Sequence, residues 1–137
     1  DVGNIHLIDP VYDLDILYAL RSNCRFYIHG HSAGGTNPSL VEAMFFHCPI
    51  LAYDVVYNRE TTENKAFYFR NAEQLFSLLK DDTLPLAESA NNMSEIACRR
   101  YLWEIISRQY LEQFDLITVR ADREISLSKS DQIKKSI

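Results

Sequence analysis

Short apolar runs alternate with helix-spaced apolar faces through the first half of the chain, and that alternation predicts an α/β fold. Residues 4–8 (NIHLI) form an apolar run closed by Asp9-Pro10 and read as a buried strand. Asp13 is placed to cap a helix whose buried side is Leu14, Ile16, Leu17 and Leu20. Residues 25–29 (RFYIH) read as a second strand, residues 50–53 (ILAY) as a third and residues 66–69 (AFYF) as a fourth. Between the second and third strands, Asn37-Pro38 joins an N-cap side chain to a proline at the first helical position. Leu40, Val41, Met44 and Phe45 give that helix its apolar face, and Cys48-Pro49 ends it.

Further along, Asn71 is a cap for a helix carrying Leu75, Phe76, Leu78 and Leu79. Residues 86–97 and 101–114 read as two more helices, the second with Leu102, Trp103, Ile105, Ile106, Tyr110 and Leu111. These late helices are expected to supply core and to cap the sheet. Past Val119 the chain turns polar and loses its period. The expected organisation is therefore one domain over residues 1–119 and a frayed polar tail over 120–137, helical only if something binds it. Strands separated by helices imply right-handed crossovers and a Rossmann-like parallel sheet flanked by helices. Ligands of such sheets bind outside the carboxyl ends of the strands, and the segment after His29 lies at that edge.

Composition narrows the classes. The 137 residues suit one domain with a core of its own, and 47% hydrophobic against 24% charged residues excludes a disordered or disulfide-built chain. A net charge of -5 argues against non-specific nucleic-acid binding, which needs a basic footprint. No apolar run approaches the roughly 18–20 residues of a membrane span. Cys24, Cys48 and Cys98 are odd in number and widely spaced, and read as reduced core thiols of a cytosolic protein. The chain starts without a methionine and close to a strand-like run, so a piece of a longer protein is expected, with part of the function encoded upstream.

Three of the four glycines fall between positions 30 and 35. Set between a strand end and a helix start, such a loop can wrap a ligand, and the first turn of the helix suits a phosphate. The plainer reading is a tight connection that merely needs glycine. Residues 30–34 (GHSAG) also match the G-x-S-x-G nucleophile elbow, which would make Ser32 the nucleophile of a serine hydrolase. Two features oppose that: the helix starts several residues too late, and no histidine follows His47 to serve as base. Glu42, just over one turn into the helix, can reach back toward a ligand over the loop and accept hydrogen bonds from a ribose diol. The alternative is a carboxylate that complements the helix dipole on a solvated face. Cys24, His29, His31, His47 and Cys48 are metal-ligand types, but no pair has the C-x2-C or H-x3-H spacing of a zinc site, and no metal is expected. Arg99-Arg100 reads as a solvated helix start ahead of Trp103, or as a contact for acidic lipid.

The run HGHSAGGTNPSLVEAM, with NIHLIDPVYDLDILYAL before it and CPILAYDVVYNRET after it, resembles the donor-binding half of glycosyltransferase family 4, the retaining GT-B enzymes. It looks closest to the rhamnosyltransferase-like branch of bacterial surface-polysaccharide synthesis. The similarity spans residues 4–113, its specific part lying in 28–44. The resemblance implies the C-terminal half of a GT-B enzyme, truncated at its N-terminus. It implies a metal-independent donor domain for a nucleotide-activated sugar, dTDP-rhamnose or a UDP-hexose, transferred with retention to a hydroxyl of a lipid-linked or glycan acceptor. The partner would be an N-terminal acceptor-binding domain, and the location the cytoplasm, peripheral at the inner face of the membrane. The fragment alone would transfer no sugar. Of the family's two glutamates in E-x7-E, the second matches Glu42 and the first falls on Gly34. By position, the backbone of Gly35, Thr36, Asn37, Pro38 and Ser39 would cradle the diphosphate, and the turn at Pro10, Val11 and Tyr12 would lie against the base. His29 and His31 would point near the sugar or diphosphate, the alternative being that one is a core histidine, since alternate strand residues face opposite ways. Glu60 in the N-R-E stretch would lie near the donor, the alternative being a surface charge. A non-catalytic nucleotide or sugar-phosphate binding module is the alternative.

Overall fold

A computed structural model describes residues 3–134, with side-chain surroundings through residue 120. The chain divides into two compact units, residues 1–99 and 100–137. In chain order the first holds α1 (Leu14–Ser22), β1 (Tyr27–His29), α2 (Pro38–Phe45), β2 (Ile50–Tyr53), α3 (Val56–Thr61), β3 (Phe67–Phe69), α4 (Ala72–Lys80) and α5 (Leu86–Arg100). The fold is α/β: a three-stranded parallel sheet in the order β1-β2-β3, flanked by helices and compatible with a Rossmann-like arrangement. Tyr27, Ile28 and His29 face Ile50, Leu51 and Ala52 across the first pairing; Leu51, Ala52 and Tyr53 face Phe67, Tyr68 and Phe69 across the second.

The central strand is the driest part of the molecule. Ile50, Leu51 and Ala52 are fully buried, and because neighbours on a strand face opposite sides, both faces of β2 are covered. Leu40, Ala43 and Met44 of α2 and Met93, Ile96 and Ala97 of α5 complete the core, with Cys48 in the turn between α2 and β2. Three caps expected from sequence are formed. Asp13 accepts from the amides of Asp15 and Ile16, Asn37 from Ser39, and Asn71 from Gln74.

Several expectations are corrected. Residues 4–8 form no strand, and Ile5, Leu7 and Ile8 are exposed. An apolar run becomes a strand only against a partner, and among the described residues nothing pairs with the outer edge of β1. The expected buried side of α1 is not buried: Leu14, Ile16 and Leu20 are exposed, Leu17 half-buried. Helix α2 ends at Phe45, before Cys48-Pro49, because His47 adopts a left-handed conformation (φ 55°) that turns the chain out of the helix. The short helix α3 was not expected at all. Among the described residues, of the late helices only α5 contributes core; α4 buries no residue. Arg99-Arg100 closes α5 rather than opening a helix, and Arg99 pairs with Glu63 at 2.7 Å. Cys98 is exposed, not a core thiol.

The second unit is built on α6 (Trp103–Lys134), which continues unbroken into the segment expected to be a frayed tail. Neither Gly nor Pro occurs between Trp103 and Lys134, so the backbone meets no breaker even where the apolar period fails. Trp103, Tyr110 and Leu111, taken from sequence as core, are exposed, as is Phe114. Among the described residues no helix is long and apolar enough to cross a membrane.

Candidate functional site

Parallel pairing puts the carboxyl ends of β1 and β2 at one edge of the sheet, so the segments leaving His29 and Tyr53 adjoin there. From His29 the chain passes through residues 30–37 into α2; from Tyr53 it passes into α3. Asn58 of α3, almost wholly buried, joins the two by donating Nδ2 to the carbonyls of His31 (3.0 Å) and Tyr53 (2.9 Å). Thr36 in the loop lies with its Oγ1 3.5 Å from Oγ1 of Thr61, whose hydroxyl donates to the Tyr57 carbonyl. The glycine loop is thus held from below by a polar helix face.

His29, the last residue of β1, is only 5% exposed. Its ring stacks on Tyr27 (centroids 6.0 Å apart) and lies 5.9 Å from that of His31. Burial, then the neighbouring His31, pushes its pKa below the usual 6.5, which keeps the imidazole neutral at pH 7. Its Nε2 is buried and meets no hydrogen-bond partner among the described residues. A buried polar atom left unpaired costs about 1–3 kcal/mol, so this ring nitrogen can accept or donate a hydrogen bond to a group placed beside it.

Glycine at position 34 is required by conformation. Its φ is +88°, while an added Cβ would meet nothing closer than His31 Nε2 at 3.8 Å. At Gly35 an added Cβ has open space around it. The start of α2 is already well satisfied: Pro38 has no amide hydrogen, Ser39 donates to Asn37 Oδ1 at 2.9 Å, and Leu40 and Val41 both donate to the Asn37 carbonyl. The dipole of the helix still points its positive end at the loop.

Glu42 is half-buried and forms an ion pair through Oε2 with Arg21 at the end of α1. The Arg21 guanidinium also lies over the Tyr27 ring at 5.6 Å. Sequence reading supplied no partner for Glu42, and nothing in the sequence marks Arg21 out beyond its place in the last turn of a capped helix. Asn58 and Thr61 were also missed; the signal available was two polar residues four apart (Asn58, Thr62) inside a segment without strand alternation.

The remaining candidates are less close. Tyr12 is exposed and Val11 half-buried, in the segment before α1. Glu60 lies exposed on α3, two positions after Asn58 and so not on the side of Asn58 that holds the loop. Ser32 is exposed in the loop, six positions before α2 begins, and His47 sits at the far end of that helix, about 12 Å of helix away. Ser32 therefore does not sit on a strand-to-helix elbow, and His47 lies away from it. Among the described residues no group of three His, Cys, Asp or Glu side chains is arranged to hold a metal ion. A separate open cavity of about 340 Å³, lined by Lys65, Phe67, Pro85, Glu88, Ser89 and Asn92, lies toward the opposite, amino-terminal end of β3. No protein-family profile, curated protein or solved structure matches this chain.

Proposed function

We propose that this chain is the donor-binding half of a retaining GT-B glycosyltransferase of family 4, of the rhamnosyltransferase-like branch. It holds dTDP-rhamnose or a UDP-hexose for transfer to a hydroxyl of a lipid-linked or glycan acceptor in bacterial surface-polysaccharide synthesis, at the inner face of the membrane. The observation that carries the reading is the glycine loop at the carboxyl edge of the sheet, with the unpaired Nε2 of His29 beneath it and the start of α2 beside it. In this reading loop amides and the helix dipole receive the diphosphate. Glu42 gives one carboxylate oxygen to Arg21 and keeps the other for the ribose diol, since a carboxylate offers about four acceptor positions.

The sheet order supports the same reading. In a doubly-wound sheet ordered 3-2-1-4-5-6, β1, β2 and β3 correspond to strands 4, 5 and 6. The open edge of β1 then lies where strand 1 stands in that order. In this reading the partner is an acceptor-binding domain, and this chain by itself binds nucleotide weakly and transfers no sugar. Charge on the departing diphosphate is offset by the helix dipole and basic residues, without a metal.

Calorimetric titration of the full chain with UDP and dTDP, beside Glu42→Ala, tests the proposal. Saturable heat is expected from the wild type and an at least several-fold weaker response from the variant. Equal responses remove Glu42 from the site; no response from the wild type overturns the reading. Gly34, standing where the resembled family has its first glutamate, favours a second reading, a non-catalytic nucleotide or sugar-phosphate binding module. Fusion behind an acceptor domain, assayed with dTDP-rhamnose, UDP-glucose and UDP-galactose, separates the two: sugar transfer excludes the module.

A further inference from the structure

Cys24 and Cys48, 24 positions apart, bring their Sγ atoms to 3.0 Å. Cys24 lies two residues past the end of α1, half-buried, with its Sγ 3.2 Å from the Arg21 carbonyl. Cys48 is buried in the turn from α2 to β2, its Sγ 3.6 Å from the Pro49 carbonyl. The pair needs to close by only about 1 Å to reach the bonded S–S distance. The segment between the two cysteines contains β1, the glycine loop and α2, so a bond here encloses His29, the glycine loop and Glu42 in one covalent ring. No residue of α1 is buried. Contacts of the helix with the rest of its unit include the Arg21–Glu42 ion pair, Arg21 over the Tyr27 ring and the edge contact of Tyr18 with Phe46 at 5.4 Å, and the pair of thiols follows just past its end.

We propose that Cys24 and Cys48 form a redox modification site, which closes to a disulfide by exchange with a small-molecule disulfide such as glutathione disulfide and thereby clamps α1 to the turn behind α2. The chemistry has a fixed order. Cys24, the more accessible thiol, loses its proton and attacks one sulfur of glutathione disulfide. This forms a mixed disulfide and releases one glutathione thiolate, which takes up a proton. Cys48 then loses its proton, attacks the Cys24 sulfur and expels the second glutathione. Two protein thiols and one glutathione disulfide become one protein disulfide and two glutathione thiols. Burial and the hydrogen bond with Cys24 push the Cys48 thiol up to about 12, so Cys48 does not open the exchange. The closing step therefore quickens as pH rises, and a leaving thiol of such high pKa makes the bridge slow to reduce. The site does not depend on nucleotide binding.

The test uses the full chain carrying Cys98→Ser, which removes the exposed third thiol. After incubation with glutathione disulfide and quenching with a maleimide, the expected product has lost two hydrogens and carries neither glutathione nor maleimide. A cross-linked peptide joins Cys24 to Cys48, and Tm rises by about 10 °C, the effect of closing a ring of roughly 25 residues. Dithiothreitol reverses all of these. A retained glutathione adduct, or maleimide on both cysteines, overturns the proposal. In the additional variant Cys24→Ser, Tm is expected to be indifferent to glutathione disulfide; a rise there overturns it as well.

Discussion

Asn58 and His31, 27 positions apart, are joined by a 3.0 Å hydrogen bond from the Asn58 side chain to the His31 carbonyl. The same amide nitrogen donates to Tyr53 at 2.9 Å, so one buried side chain fastens the glycine loop to the end of the neighbouring strand. Asn58→Ala leaves both carbonyls without that donor, at a cost of about 1–3 kcal/mol. Asn58→Asp is expected to destabilise at least as much despite its near-identical shape, because a carboxylate would face two carbonyl oxygens. Urea unfolding of the three proteins checks the order; an Asp variant as stable as the wild type would show that the donor does not matter.

Gly34 gives a sharper contrast with its neighbour. At φ +88°, any L side chain is strained, and Gly34→Ala is expected to cost roughly 1–2 kcal/mol. Gly35, with no left-handed φ and open space for a Cβ, is expected to accept alanine within about 0.5 kcal/mol. Gly34→Glu, which restores the carboxylate of the resembled family, carries the same backbone strain. Denaturation midpoints measure all three; equal losses at 34 and 35 would mean that the loop does not hold this conformation.

What the sequence disclosed, and what it did not, follows the range of the forces involved. Asp13, Asn37-Pro38 and Asn71 announce helix starts because a cap acts on amides two or three residues away. β2 was legible because a short run buried on both faces is apolar throughout. Residues 4–8 look equally strand-like, but a strand also needs a partner, which no local pattern encodes. The six residues of α3 (VYNRET) carry too little helical preference to be noticed. Their buried positions, Asn58 and Thr61, meet the glycine loop far back along the chain, and Thr62 just beyond bonds Tyr68 of β3. Of the candidate site, the loop and the helix start were visible in the sequence. Arg21 as the partner of Glu42 was not, since that contact crosses two elements.

Stability is expected to fall with acid in two separate windows. His29 has a folded pKa below the usual 6.5, through burial first and His31 second, so between those values the unfolded chain binds more protons. Its contribution is complete above 6.5 and is lost as pH falls through the folded value. The hydrogen bond from Arg59, joined by Arg70, holds the Asp54 carboxyl at about 2, below its usual 3.8. That contribution is present above 3.8 and is lost as pH falls toward 2. Thermal unfolding followed between about pH 2 and pH 8 should show the upper window vanish in His29→Gln and the lower one shrink in Asp54→Asn. An unchanged upper window in His29→Gln would assign it to another group.

The start of α2 lets stability and binding be separated by a single near-isosteric change. Asn37 caps the helix by accepting from the Ser39 amide at 2.9 Å, and aspartate caps equally well while interacting favourably with the helix dipole. Asn37→Asp is therefore expected to leave stability unchanged or slightly raised. If a diphosphate rests against this helix start, the new carboxylate lies beside a dianion, and like charges at that distance repel. Affinity for UDP and dTDP should then fall about tenfold or more, with the loss lessened by added salt, because screening weakens the repulsion between exposed charges. Calorimetric titrations at low and high ionic strength, together with Tm, read both quantities on the same protein. Undiminished affinity in a fully folded Asn37→Asp would place the phosphates elsewhere, and with them the proposed role of the glycine loop.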